Sequence, residues 1–148
     1  MNPIAGCLSF FTRAVPRPTS KNLNTQIGCH FEEVNEMMAE LDSRDKESAE
    51  ILRQAMFAVH KLAEHAKQGS NYSIHPENRI NYLDALCDQI VTAVGCAHMS
   101  NMNIIGGFIE TNRSNLSKFG EDGQPIFNEN MKVIKGPNYT QSDLTPFV

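Results

Sequence analysis

Glu32, Glu33 and Glu36 fall within five positions, and Glu40 follows a turn later. At 100° per residue a helix gathers these acids opposite Phe31, Val34 and Met38. A second pair, Asp84 and Asp88, stands four residues apart, so both carboxylates share a helix face with Asn81, Thr92 and Gly95. Nearly every other position around that pair is apolar, and no Lys or Arg occurs between Asn81 and Ser100. Carboxylates inside an apolar helix are costly unless paired, protonated or bound to a cation. A divalent metal is the simplest partner, and ligation by carboxylates alone favours Mg2+ or Mn2+ over zinc. Mg2+ usually takes one or two carboxylates together with waters and substrate phosphates, which points to a phosphorylated substrate hydrolysed by a metal-activated water. The plainer readings are a solvated acidic face for residues 32–40 and interhelix hydrogen bonds for Asp84 and Asp88.

The complementary charges lie in the last third of the chain. Asn112, Ser114, Asn115 and Lys118 fall within two helical turns, and Lys132, Lys135, Gly136 and Tyr139 follow. Lysines with amide and hydroxyl donors suit the oxygens of a polyphosphate. The histidines, His30, His60, His65, His75 and His98, show no zinc-like spacing. There is no Walker A sequence and no G-x-S-x-G elbow.

These side chains need long helices to position them. A first short helix over Ile4 to Arg13 must end at Pro16 and Pro18. Ile27, Phe31, Val34, Met38 and Leu41 repeat at 4-3-4-3 spacing, predicting an amphipathic helix over about Asn24 to Leu41. Asp42 and Ser43 offer capping oxygens before a helix over about Asp45 to Lys67, which Gly69 stops. Gly69 to Pro76 reads as a loop. Over about Asn78 to Met99, Ile80, Leu83, Leu86, Cys87, Ile90, Val91, Val94 and Ala97 leave few polar positions, predicting a largely buried helix. A further helix is expected over about Asn103 to Phe119. Beyond Gly120, two short strands at Gly123 to Phe127 and Lys132 to Lys135 would flank a turn near Asn128 to Asn130.

The fold class is therefore all-α: a helical bundle with a short irregular or β-hairpin C-terminal region. With 148 residues, the chain can bury roughly 68–70% of its unfolded surface as a single domain. A core of about 24–119 and a C-terminal segment of about 120–148, to which the resemblance given below assigns the covering of a substrate, are expected within it. The 17 acidic and 13 basic residues leave a net charge of −4, which argues against a nucleic-acid polymer as ligand. Cys7, Cys29, Cys87 and Cys96 form no C-x-x-C pair and read as reduced core thiols of a cytoplasmic protein. The apolar run Ile4 to Phe11 is too short to span a membrane and has no basic residues before it.

In this order, Glu32-Glu33-Val-Asn-Glu36, Leu83-Asp84-Ala-Leu-Cys-Asp88 and Glu110-Thr-Asn-Arg-Ser-Asn-Leu-Ser-Lys118 resemble the all-α nucleoside triphosphate pyrophosphohydrolases of the MazG type. Asp122-Gly-Gln-Pro-Ile and Lys132-Val-Ile-Lys-Gly-Pro-Asn-Tyr139 are similar to the C-terminal signature of bacteriophage members, among them the MazZ type. The resemblance spans about Gln26 to Leu144. It implies a homodimer or a tetramer, in the host cytoplasm if phage-encoded, that cleaves a (deoxy)nucleoside triphosphate to the monophosphate and diphosphate. It further implies that Glu33, Glu36 and Asp88 hold Mg2+, with Mn2+ accepted, and that Glu32 binds a further ion or orients the attacking water, giving two or three ions per site. Asn112, Asn115 and Lys118 would contact the nucleotide, and Lys132, Lys135 and Tyr139 would close over it. Ala85 stands where the family carries a Glu, and Asp84, one residue earlier, is the candidate substitute. The Ser43 to Asn78 segment exceeds that of compact members and would pack at a subunit interface or shape the base pocket. Among substrates the phage-like block leans towards (d)GTP. The alternatives are dUTP or dCTP, a broad house-cleaning activity, or a non-enzymatic helical interaction bundle.

Overall fold

The computed structural model describes residues 2–148, which form five α-helices and two short 3-10 turns. The helices are α1 (Pro3–Ala14), α2 (Ser20–Ala39), α3 (Lys46–Gln68), α4 (Arg79–Met99) and α5 (Ile104–Leu116). The all-α class follows directly. The chain divides into two compact units: one holds 17–73 with 128–132, and the other holds the residues up to Pro16 with 74–127 and 133–148.

The first of these units is a helical hairpin. Thr19 opens α2 with a reciprocal cap: its hydroxyl accepts from Asn22 N–H, and the Asn22 side chain accepts from Thr19 N–H at 3.0 Å. Such a cap satisfies two of the amides a helix start leaves orphaned. Asp45 caps α3 by accepting from Ser48 N–H at 2.8 Å, so the cap is Asp45 and not Asp42 or Ser43. The reason is local, since a cap must stand two or three residues before the amide it satisfies. Gly69 ends α3 as expected, in extended backbone. Gly28 lets the two helices approach closely: a Cβ there would stand 2.7 Å from the Ala63 carbonyl. Ala63 and Ala66 on the facing helix are fully buried. Asn24, also fully buried, ties the start of α2 to the chain leaving α3, donating to Tyr72 O and accepting from Tyr72 N, each at 2.8 Å.

The other unit packs α1 against α5. Phe10 stacks on Phe119 with ring centroids 5.3 Å apart, and Ala14, Val15 and Val133 complete the cluster. The Arg13 guanidinium lies 4.5 Å above the Phe119 ring and donates to Gly123 O. The chain after α5 is largely irregular. The two expected strands reduce to one antiparallel bridge, Phe127 with Val133, beside an Ile134 N–H bond to Ile126 O. Helix α5 itself ends at Leu116, a few residues before the expected Phe119.

Helix α4 departs most from expectation. It runs over nearly the residues anticipated, yet none of them is buried, and Leu83, Ile90, Val91 and Val94 are exposed. An apolar helix signals that a surface must be covered, not which chain covers it. Cys87 and Cys96 on α4 are exposed as well, so they are not core thiols, although all four cysteines are free. Among the described residues no helix is long and apolar enough to cross a membrane.

Candidate functional site

Helix α2 carries the acidic set. Its Phe31 and Val34 are half-buried, which leaves Glu33 and Glu36 exposed, one turn apart, and outside every ion pair among the described residues. Glu32 has a different environment. Its Oε1 accepts from Lys67 Nζ at 3.1 Å and its Oε2 from Lys132 Nζ at 2.9 Å, so both oxygens are engaged by ammonium groups. The Lys132 hydrogen bond, reinforced by Lys67 and opposed by partial burial, holds the Glu32 carboxyl below the usual range. Lys67 also pairs with Glu64 at 2.5 Å. Burial pulls the Lys67 ammonium down, but its bonds to Glu64 and Glu32 outweigh this and leave it above the ordinary lysine value. Cys29 lies in the same electrostatic neighbourhood, with its thiol pushed up chiefly by burial. One position before Glu36, the Asn35 Oδ1 is buried without a hydrogen-bond partner.

Lys67 was not among the residues singled out by sequence. A signal was present, because Lys67 stands one turn after Ala63 on the stripe that packs against α2, where a charge needs a partner.

The remaining candidates lie in the other unit. Asp84 and Asp88 sit on the exposed α4, so the expected penalty for burying them does not arise within one chain. Among the described residues no three His, Cys, Asp or Glu side chains are grouped so as to hold a metal ion. Asn112 is buried against Gly6 and its amide donates to Pro3 O at 2.8 Å, so it joins α1 to α5 here. Lys118 Nζ donates to Asn115 Oδ1 at 2.7 Å, and Lys118 O accepts from Gly136 N–H. Lys135 lies 4.6 Å from the Tyr139 ring centroid, a cation–π contact. Arg113 bonds Glu110, Thr140 and Gln141 O, fastening the C-terminal segment to α5.

A hard cation needs only one or two carboxylates when phosphate and water complete its shell. Glu33 and Glu36 fit that requirement, being adjacent on one helix and free of competing ammonium groups, and Glu32 fits only if a lysine leaves it.

No family model matches this chain, and no curated protein matches it. Its fold is similar to that of the crystal structure of a candidate NTP pyrophosphohydrolase from Exiguobacterium sp. 255-15, with a TM-score of 0.63. The match covers 95% of this chain and 89% of that one at 20% identity. An all-α architecture of this kind is therefore shared across nearly the whole length.

Proposed function

We propose that the chain is a metal-dependent nucleoside triphosphate pyrophosphohydrolase that converts (d)NTP and water to (d)NMP and diphosphate. The observation that carries this reading is the pair of open carboxylates, Glu33 and Glu36, on a helix whose neighbouring acid is already met by two lysines suited to phosphate. The fold shared with a protein named for that activity and the three ordered sequence blocks support it. Glu33 and Glu36 would hold Mg2+ or Mn2+, with Asp88 and Asp84 supplying further carboxylates. The bound metal would neutralise the triphosphate and make water nucleophilic near neutral pH. Lys132, Lys135 and Tyr139 would meet the phosphates, and Lys118 with Asn115 the rest of the nucleotide, while Asn112 is taken up by its bond to Pro3 O. The phage-like C-terminal block favours (d)GTP among substrates.

The exposed apolar residues of α4 support a homodimer, since a second copy of the same chain would cover them. Val91→Asp is then expected to shift sedimentation from dimer to monomer.

A non-enzymatic helical bundle draws on one observation, the neutralisation of Glu32 by lysines within the chain. Incubating the protein with each of the eight common (d)NTPs and Mg2+ or Mn2+ separates the readings. Diphosphate and monophosphate are the expected products, with dGTP cleaved fastest. No diphosphate from any of them would leave the bundle standing, and inorganic phosphate in its place would mean attack at the terminal phosphorus.

A further inference from the structure

The two lysines on Glu32 are built differently. Lys67 belongs to the α2–α3 packing, with only 14% of its side chain exposed and a second carboxylate, Glu64, on its ammonium. Its backbone carbonyl accepts from Lys21 Nζ, and Gly28 presses on its stem so closely that a Cβ would stand 2.5 Å from Lys67 Cγ. Lys132 ends a short turn and its side chain is 46% exposed. The preceding residue, Met131, has φ 61°, a conformation that side chains other than glycine rarely adopt. The turn is tied down two residues earlier, where Thr25 Oγ1 donates to Asn130 O at 2.8 Å. Moving Lys67 off Glu32 would disturb helix packing, whereas Lys132 can swing into water from an anchored backbone.

Charge leads to the same asymmetry. Glu32, Glu64, Lys67 and Lys132 sum to zero, so an arriving polyphosphate adds negative charge that only a mobile cation can meet. An exposed ammonium–carboxylate pair is weak, and a phosphate carrying several charges competes well for the lysine.

We propose that Lys67 is a positioning residue that holds Glu32 in place, while Lys132 is an exchangeable counter-ion that leaves Glu32 Oε2 for the phosphates of an incoming polyphosphate. The exchange uncovers one carboxylate oxygen as the ligand arrives, and Oε1 stays with Lys67. The freed oxygen can then accept a hydrogen bond from water beside the phosphate. Only this last, catalytic meaning rests on the pyrophosphohydrolase reading; the exchange itself does not.

The test follows the lysine ammonium signals of the full-length 15N-lysine-labelled protein by NMR, in metal-free buffer, as inorganic tripolyphosphate is added. Lys67→Arg and Lys132→Arg assign the two signals. The Lys132 signal is expected to shift saturably while that of Lys67 stays. A Lys67 signal that moves as far as that of Lys132, or no response from either, would overturn the proposal. In turnover, Lys67→Met is expected to lower kcat, by up to about 100-fold if Glu32 strays by an ångström, with little change in KM. Lys67→Arg should recover most of that loss, and Lys132→Met should raise KM instead. Equal effects of the two Met variants on kcat and KM would remove the positioning role. If the wild-type protein cleaves no triphosphate, the enzymatic reading fails by itself and the ammonium signals still decide the exchange.

Discussion

Replacing Gly28 by alanine puts a methyl group where α2 and α3 touch. The new Cβ would lie 2.5 Å from Lys67 Cγ, 2.7 Å from Ala63 O and 3.2 Å from Lys67 N. The Lys67 contact is at Cγ, close to the root of a side chain the packing already holds, and the Ala63 carbonyl is helix backbone, so neither gives way cheaply. Restoring ordinary contact, which begins at 3.4 Å, requires the helices to part by about 0.7 Å along that direction. Such overpacking costs about 1–3 kcal/mol, offset by about 1 kcal/mol because alanine is the better helix former. The net loss expected is up to about 2 kcal/mol, a fall in Tm of up to roughly 8 °C for a chain of this size. Gly107→Ala in α5 is the matched control: its Cβ would meet nothing nearer than 3.8 Å, so it should gain about 0.5–1 kcal/mol. Thermal and urea melts followed by far-ultraviolet circular dichroism, with the urea slope unchanged, measure both. A Gly28→Ala protein melting at or above the wild type would refute the close-packing account, and so would a shift matching that of Gly107→Ala.

Three further outcomes are expected. Asn24→Ala should cost about 3 kcal/mol in a urea midpoint measurement, because it strips the Tyr72 N–H and carbonyl of their partner at a fully buried position; a loss well under 1 kcal/mol would mean that water replaces the amide. The Glu110 carboxyl is held at about 2 by Arg113, with help from Asp143 N–H, so whatever it adds to stability is present above its ordinary value of 4.5 and fades as pH falls to about 2. Arg113→Gln should bring its titration, read from the side-chain 13C carboxyl signal, up towards 4.5, and an unmoved midpoint would contradict the assignment. Glu36→Gln and Asp88→Asn should each abolish metal-dependent diphosphate release while leaving the helical dichroism intact, and retained turnover removes that residue from the ligand set. Asp84→Asn, assayed in the same way, tells whether this position replaces the acid missing at Ala85.

The helices were legible because their signals are local. Pro16 and Pro18 close α1, the 4-3-4-3 spacing marks α2, and Gly69 ends α3. What periodicity could not supply was the identity of the covering surface. Leu83, Val91 and Val94 look like core in sequence and stand exposed on α4, and the burial argument for Asp84 and Asp88 fell with them. Asn112 shows a related limit, since an amide that suits a nucleotide suits a backbone carbonyl equally well, and in this fold it bonds Pro3 O. On the candidate site, the clustering of Glu32, Glu33 and Glu36 was readable from spacing alone. The partners of Glu32 were not, because Lys67 and Lys132 stand 35 and 100 residues away. The hint lay in residue size: Gly28 facing Ala63 and Ala66 marks helices close enough for a lysine on the same stripe to reach across.

The unequal separations of those two lysines from Glu32 also order events in time. Contacts between neighbouring helices close short loops and form early, and a nascent chain makes its N-terminal elements first. Glu32 can therefore acquire Lys67 as soon as the α2–α3 hairpin has left the ribosome, before residue 132 has been translated. Lys132 can join only after two further helices have been made. A ribosome stalled once α2 and α3 have cleared its exit tunnel should already display the hairpin with its acid half-neutralised, ready to receive residues 128–132 as a pre-shaped template.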